Sequence, residues 1–121
     1  MKLENIALEG KIVDIKILNE VMKKHQLVLG ETWDYERVSY DRKFENLDTS
    51  EVFYLRVLGH AVEGNVDSQH AQVKLLAPLL GKHYYPHGVE YGEGETFPKN
   101  IVSKSEKILQ KALEEIDALS K

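Results

Sequence analysis

His83, His87, Glu90 and Glu93 fall in one short stretch of the chain. Imidazole and carboxylate are suitable ligands for zinc, manganese or iron, so metal binding is the first chemistry to weigh. Two histidines at i and i+4 come close together on one face of a helix, yet Pro86 lies between them and Gly88 follows. On extended chain they would share a face about 13 Å apart at ~3.3 Å per residue, and a tight turn at Pro86 is needed to bring them together. The weightier reading is that these histidines close hydrogen bonds in a turn or face solvent, and no metal or other cofactor is expected.

Acid–base catalysis would draw on the same block. His60, His83 and His87 are the residue type that titrates near neutral pH, and Glu63, Glu90 or Glu93 could orient them. The chain has no Gly-x-Ser-x-Gly elbow, no Walker phosphate loop and no His-Glu-x-x-His pair. Gly92-Glu93-Gly94 is a fragment of a glycine-rich pattern without the lysine that would follow. A third chemistry is ligand capture. Tyr35, Tyr40, Tyr54, Tyr84, Tyr85 and Tyr91, joined by Trp33, could line a pocket with Arg37, Arg42 and Arg56 for a small anionic or aromatic ligand. Against it stands the usual role of strand aromatics, which is packing across neighbouring strands.

The elements that must position these groups can be read from periodicity. Asp14 is a plausible N-cap for a first helix with Ile15, Leu18, Val21 and Met22 on one face, ending near His25. Leu27-Val28-Leu29 before Gly30 marks a change to extended chain. Trp33 to Phe44 mixes aromatic and β-branched residues with charges, which suits a strand with one wet face. Its alternating charges, Asp34, Glu36, Arg37, Asp41, Arg42 and Lys43, read as a solvated face. Turn formers fill Glu45 to Ser50, and Val52 to Val62 then alternates, with Phe53, Leu55 and Val57 opposite Tyr54, Arg56 and Leu58; the pair predicts a hairpin. A further strand is expected at Ala71 to Ala77, stopped by Pro78, which has no N–H to donate. Gly81 to Gly94 reads as a turn-and-strand element. The last helix is expected from Pro98 to Leu119, with Thr96 as its cap and Ile101, Ile108, Leu109, Ala112, Leu113 and Ile116 as its apolar stripe.

Together these predict one α+β domain over residues 1–121, an antiparallel sheet flanked by an N-terminal helix and a long C-terminal helix, with one sheet face left open. Composition narrows the rest. With 16 Lys plus Arg against 20 Asp plus Glu, the net charge of -4 argues against nucleic acid as a partner. The absence of cysteine removes disulfides, thiolate nucleophiles and Cys-ligated metals. No apolar run reaches the ~18–20 residues that cross a bilayer, and Met1 to Gly10 does not read as a secretory signal, so a cytoplasmic location without membrane contact is expected.

At His83-Tyr84-Tyr85-Pro86-His87-Gly88-Val89-Glu90-Tyr91-Gly92-Glu93-Gly94-Glu95, taken with Trp33-Asp34-Tyr35-Glu36-Arg37 and Tyr40-Asp41-Arg42-Lys43-Phe44, the chain resembles the YugN-like family of small bacterial proteins over nearly its whole length. The resemblance implies an α+β domain of unassigned biochemical role and carries over no catalytic residue. The functional expectation is therefore a non-enzymatic binding or interaction module, homodimeric through the sheet or a helix, with Gly81 to Glu95 as its distinctive surface. The alternative is a metal-assisted or His/Glu acid–base enzyme acting on a small molecule.

Overall fold

Asp14 opens the first helix as its sequence position suggests. Its backbone is extended and its carboxylate accepts from the Lys16 N–H at 2.9 Å, satisfying one of the donors that a helix start leaves free. The computed structural model describes residues 1–30, 36–66, 70–84, 88–91 and 96–120. Among them the elements run β1 (Ile12–Asp14), α1 (Ile15–Lys24), β2 (Val28–Leu29), β3 (Arg37–Asn46), β4 (Glu51–Glu63), β5 (Gln72–Leu75), β6 (Leu79–His83), β7 (Val89–Glu90) and α2 (Lys99–Leu119).

The C-terminal end of α1 closes in a Schellman motif, with the Leu27 N–H donating to Met22 O and the Gln26 N–H to Lys23 O. Leu27 and Met22 are both buried beneath this turn. The motif needs a left-handed residue, and Gln26 supplies it at φ 61° although glycine would adopt that angle without strain. Gln26→Gly is therefore expected to stabilise the fold by about 0.5–1 kcal/mol, read as a higher urea midpoint with unchanged slope. A lower midpoint would show that the glutamine side chain contributes more than the strain costs.

β3 and β4 form the hairpin expected from the sequence, paired without interruption from Arg37↔His60 to Asn46↔Glu51. At its turn the Asn46 side chain accepts from the Asp48 N–H, as turn-forming asparagines do. β4 is the spine of the sheet. Along its other edge it pairs with β6 from Val52 to Arg56 and with β5 from Gly59 to Glu63, so the sheet runs β1-β5-β4-β3-β2 with β6 and then β7 branching from β4. The change of neighbour comes between β5 and β6, at Leu76 to Pro78, where proline cannot extend a ladder.

Alternation decides which face is dry. Val38, Tyr40 and Phe44 of β3 and Phe53, Leu55 and Val57 of β4 are buried, and they share one core cluster with Ile15, Leu18 and Met22 of α1 and Ile101, Leu109, Ala112 and Ile116 of α2. Both helices therefore lie on the same side of the sheet. Lys11 to Asp117 at 2.6 Å and Lys24 and His25 to Glu115 at 3.4 and 3.2 Å tie the two ends of the chain together at the rim. The expected α+β arrangement is what the chain adopts. The start of α2 departs from expectation: its N-cap is Pro98 and no side chain caps it, because Thr96 sits two residues too early to reach the first free N–H groups.

Candidate functional site

The opposite face of the sheet, which neither helix covers, gathers the polar and aromatic side chains of three strands. Asp41 and Arg56 stand directly across from each other on β3 and β4. Arg56 Nε donates to Asp41 Oδ1 at 2.8 Å and Nη2 to Oδ2 at 3.1 Å, the two-pronged geometry that suits a guanidinium against a carboxylate. The Arg56 Cζ also lies 4.8 Å from the centre of the Tyr91 ring, close enough for a cation–π contact. Asp41 raises the pKa of Arg56 further, so the cation persists at any ordinary pH.

Tyr91 can lie there because of Gly81. A Cβ at that position would come within 2.6 Å of two Tyr91 ring carbons and 2.7 Å of a Val89 methyl, so the glycine serves as the floor on which the ring rests. The backbone of Tyr91 is held as well, its carbonyl accepting from the Met1 amino nitrogen at 2.6 Å while the Leu80 carbonyl accepts from the same nitrogen at 2.9 Å. Next to this stack Tyr54, opposite Gly81 in the register, meets His83 edge-on with ring centres 6.3 Å apart.

The phenol of Tyr91 is buried and, among the described residues, its oxygen has no hydrogen-bond partner. Burial pushes its pKa up to about 12, against the opposing pull of Arg56. Burial also raises the pKa of Tyr40, whose hydroxyl donates to Asn19 Oδ1 on the helix side of the sheet. A folded-state pKa above the unfolded one gives stability that is whole below pH 10.0 and lost as the pH rises toward about 12. The urea midpoint is thus expected to hold steady up to pH 10.0 and to fall above it. In Tyr91→Phe the fall should be shallower and the neutral-pH midpoint equal to or above that of the native protein, since an unbonded buried hydroxyl contributes nothing favourable. A Tyr91→Phe variant clearly weaker at neutral pH would show that the hydroxyl has a partner.

Of the residues singled out from sequence, Arg56, Tyr91 and His83 come together on this face. Others do not. Tyr40 is 1% exposed and points to the helix side, because it sits at an odd step from Asp41 along β3. Arg42 shares that side, donates to the His25 carbonyl at 2.9 Å and stacks against Phe44. Glu90 pairs with Lys82 while His83 pairs with Val89, so the register turns Glu90 and His83 to opposite faces and they cannot ligate one ion together. Among the described residues no group of three or more His, Asp or Glu could hold a metal. Tyr84 donates its N–H to the Gly88 carbonyl and its ring faces Lys82, which in turn binds Glu51 at 2.8 Å. Tyr85, His87 and Glu93, like Trp33, Asp34 and Tyr35, lie outside the described residues.

The histidines proposed for acid–base work are also apart. His83 pairs with Val52 and His60 with Arg37, and eight steps along β4 separate Val52 from His60, roughly 26 Å at ~3.3 Å per residue. Arg37 and His60 instead border a cleft of about 440 Å³ with Leu58 and Leu76 at the other end of the hairpin. Two members of the central stack were not among the sequence candidates. Asp41 was legible only as one charge among several, and Gly81 only as the edge of an irregular block; the hairpin register is what makes them neighbours of Arg56 and Tyr91.

Residues 4–112 match the YugN-like family. The chain belongs to that family. Among YugN-like proteins it is 47% identical over 110 residues to the uncharacterized protein YlbA of Bacillus subtilis (strain 168), covering 91% of this chain and 90% of that one. To the uncharacterized protein YugN of the same organism it is 27% identical over 92 residues, covering 75% and 67% respectively. The crystal structure of the conserved YugN protein from Geobacillus kaustophilus HTA426 is 44% identical and superposes with a TM-score of 0.84 over 99% of this chain and 98% of that one. The YugN-like fold is thus shared along the full length, and these relatives' names assign no activity.

Proposed function

We propose that this YugN-like protein is a non-enzymatic binding module that works through the uncovered sheet face, and that a second copy of the chain is the first occupant of that face. The observation that supports it is the fixed Asp41–Arg56–Tyr91 stack at the centre of a face on which neither helix packs. Arginine and tyrosine are the residue types that dominate interface energetics, and here their side chains are ordered before any partner arrives, which lowers the entropy cost of docking. Tyr54 and His83 extend the aromatic surface, and Leu76 just past β5 and Ile12 of β1 expose 41% and 56% of their surface. A two-fold pair of such faces brings Asp41 and Arg56 of each copy against both signs of charge, so the patch is complementary to itself.

The same geometry speaks against the face as a trap for small anions, since the Arg56 guanidinium already spends one edge on Asp41. Nucleic acid, membrane and cofactor have no part in the proposal. A cytoplasmic setting belongs to it, and recovery of the native chain in the membrane fraction of its own cells would overturn that part.

Sedimentation equilibrium on the native protein and on a Tyr54→Ala/Asp41→Ala/Arg56→Ala variant tests the reading. The native chain is expected to dimerise in the micromolar range and the variant to dissociate at least about thirtyfold more readily, the effect of losing one interface hot spot of ~2 kcal/mol. A native chain that stays monomeric at high micromolar concentration overturns self-association. A dimer that the folded variant retains moves the interface off this face.

A further inference from the structure

We propose a small-molecule site on the helix side of the molecule, in the cleft between the end of α1 and the β2 edge, that takes a carboxylate with an apolar body. The cleft has a volume of about 500 Å³ and is bordered by Asn19, Lys23, Leu27, Val28, Leu29 and Tyr40. That size is in the range of small-ligand sites. It is distinct from the sheet face: Tyr40 and Leu27 at its floor are buried members of the core, and the strand β2 forms its outer wall.

Three features define the ligand. The first is apolar surface without cover: Leu29, on the Tyr40 side of the edge strand β2, is 48% exposed, whereas Val28 pairs with Asp41 and turns to the sheet face. A large apolar side chain exposed in a concave site favours an apolar occupant. The second is a pair of donors on one stripe of α1. Asn19 and Lys23 are one turn apart, at i and i+4, and so project in the same direction. The Tyr40 hydroxyl donates to Asn19 Oδ1, which fixes the amide and leaves its Nδ2 hydrogens for a ligand. Lys23 has no acidic partner among the described residues, whereas its neighbour Lys24 binds Glu115.

The third is that three carbonyls in the last turn of the helix, which would repel an anion, are already engaged. Val21 O and Met22 O accept from His25 N, Met22 O also from Leu27 N, and Lys23 O from Gln26 N. What remains facing the cleft is donor-rich and cationic above an apolar floor. A carboxylate that bonds Asn19 Nδ2, lies near Lys23 Nζ and rests its apolar body on Leu27, Leu29 and Tyr40 satisfies all three features. A neutral or cationic ligand of the same shape leaves the donors unused.

Decanoate and 1-decanol, with the same chain and different heads, are the probes. Each is titrated into the native protein and followed by amide NMR shifts. Decanoate is expected to bind saturably in the millimolar range, with shifts centred on Asn19, Lys23 and Leu27 to Leu29, and 1-decanol more weakly. The deciding variant is Asn19→Asp, whose carboxylate still accepts from Tyr40 but replaces the donor with a negative charge. It is expected to weaken decanoate by more than about tenfold, the scale of a lost hydrogen bond to a charged group, and to leave 1-decanol unchanged. Lys23→Ala on the surface should weaken decanoate by only about three- to fivefold.

Equal affinity for the two probes, decanoate binding that survives Asn19→Asp, or no saturable shift in the cleft would each overturn the assignment. So would dissociation of a native dimer by Leu29→Glu, at a position on the Tyr40 side of β2, which would give the cleft to a second copy. Because the sheet face is untouched by these substitutions, failure here leaves the interaction reading standing, and the reverse also holds.

Discussion

Replacing Phe53 with alanine is expected to destabilise the protein by about 3–5 kcal/mol, the largest loss of any single substitution considered. Phe53 is 0% exposed, pairs with Phe44 across the hairpin, and meets the Phe97 ring with centres 5.8 Å apart just before α2 begins. It therefore joins the spine of the sheet to the start of the long helix. That start has no side-chain cap, so packing has to hold what capping does not. Truncation removes the transfer free energy of the ring and leaves a void between Phe44 and Phe97 that two helices and a sheet cannot fully close. Against a total stability of about 5–15 kcal/mol, the result should be a fall in melting temperature of roughly 10–20 °C with the fold retained below it. A fall of a degree or two would mean that Phe97 turns inward and fills the space, and that the end of α2 is less dependent on this contact than its geometry implies.

Gly81→Ala is expected to cost about 1–3 kcal/mol and, more tellingly, to loosen self-association as much as loss of Arg56 does. The new methyl group would meet the Tyr91 ring at 2.6 Å and Val89 at 2.7 Å, both too close for real carbon contacts. The Tyr91 ring has to leave the glycine, and with it goes the stacking surface on which Arg56 rests. The helix side of the sheet, with Leu55 and Leu80, is not touched. A double variant, Gly81→Ala with Tyr91→Ala, separates clash from contact: removing the ring should restore most of the lost stability while leaving the dimer weak, a coupling opposite in sign for the two readouts. Calorimetry and sedimentation on the four proteins of that cycle measure both. Independent, additive effects would show that the ring does not lie over Gly81.

These two substitutions probe the two faces of one sheet. The side packed by α1 and α2 supplies the stability. The other side carries polar and aromatic groups that are ordered by each other rather than by a covering layer, and ordered groups on an open surface are poised to be covered by something else. On that surface the pair of Lys43 with Glu45 at 2.9 Å is exposed and adds little to stability, while Lys82 with Glu51 at 2.8 Å is half-buried on the other side of the sheet. Lys82 and then Thr49 hold the Glu51 carboxyl below its ordinary pKa, so the small contribution of that pair is present above the ordinary value and disappears as acid protonates the folded-state group.

Much of the fold was legible in the chain because it rests on local rules. The Asp14 cap, the stripe Ile15, Leu18, Val21 and Met22, the turn at Asn46 to Ser50, and the alternation of Phe53, Leu55 and Val57 each follow from the period of a helix or strand and from the chemistry of a few turn residues. The end of the strand pairing before Pro78 was legible for the same reason. The His/Tyr/Gly block was distinctive enough to point to the YugN-like family. The function that it serves was not written in any complete motif, and the open sheet face could be expected only as a consequence of one-sided alternation.

Only the tertiary structure decided which of those residues meet. Strand register is a long-range property: a shift of one residue turns every side chain to the other face, and nothing local distinguishes Glu90 beside His83 from Glu90 facing away. The same holds for Arg56, which found Asp41 across the hairpin and Tyr91 across Gly81, and for Asn19, whose partner Tyr40 lies on a strand beyond the turn. By itself the sequence determined most of the elements and pointed to the family. The pairing of β4 with β3, β5 and β6 brought the candidate site together, because there residues distant in the chain reach contact distance.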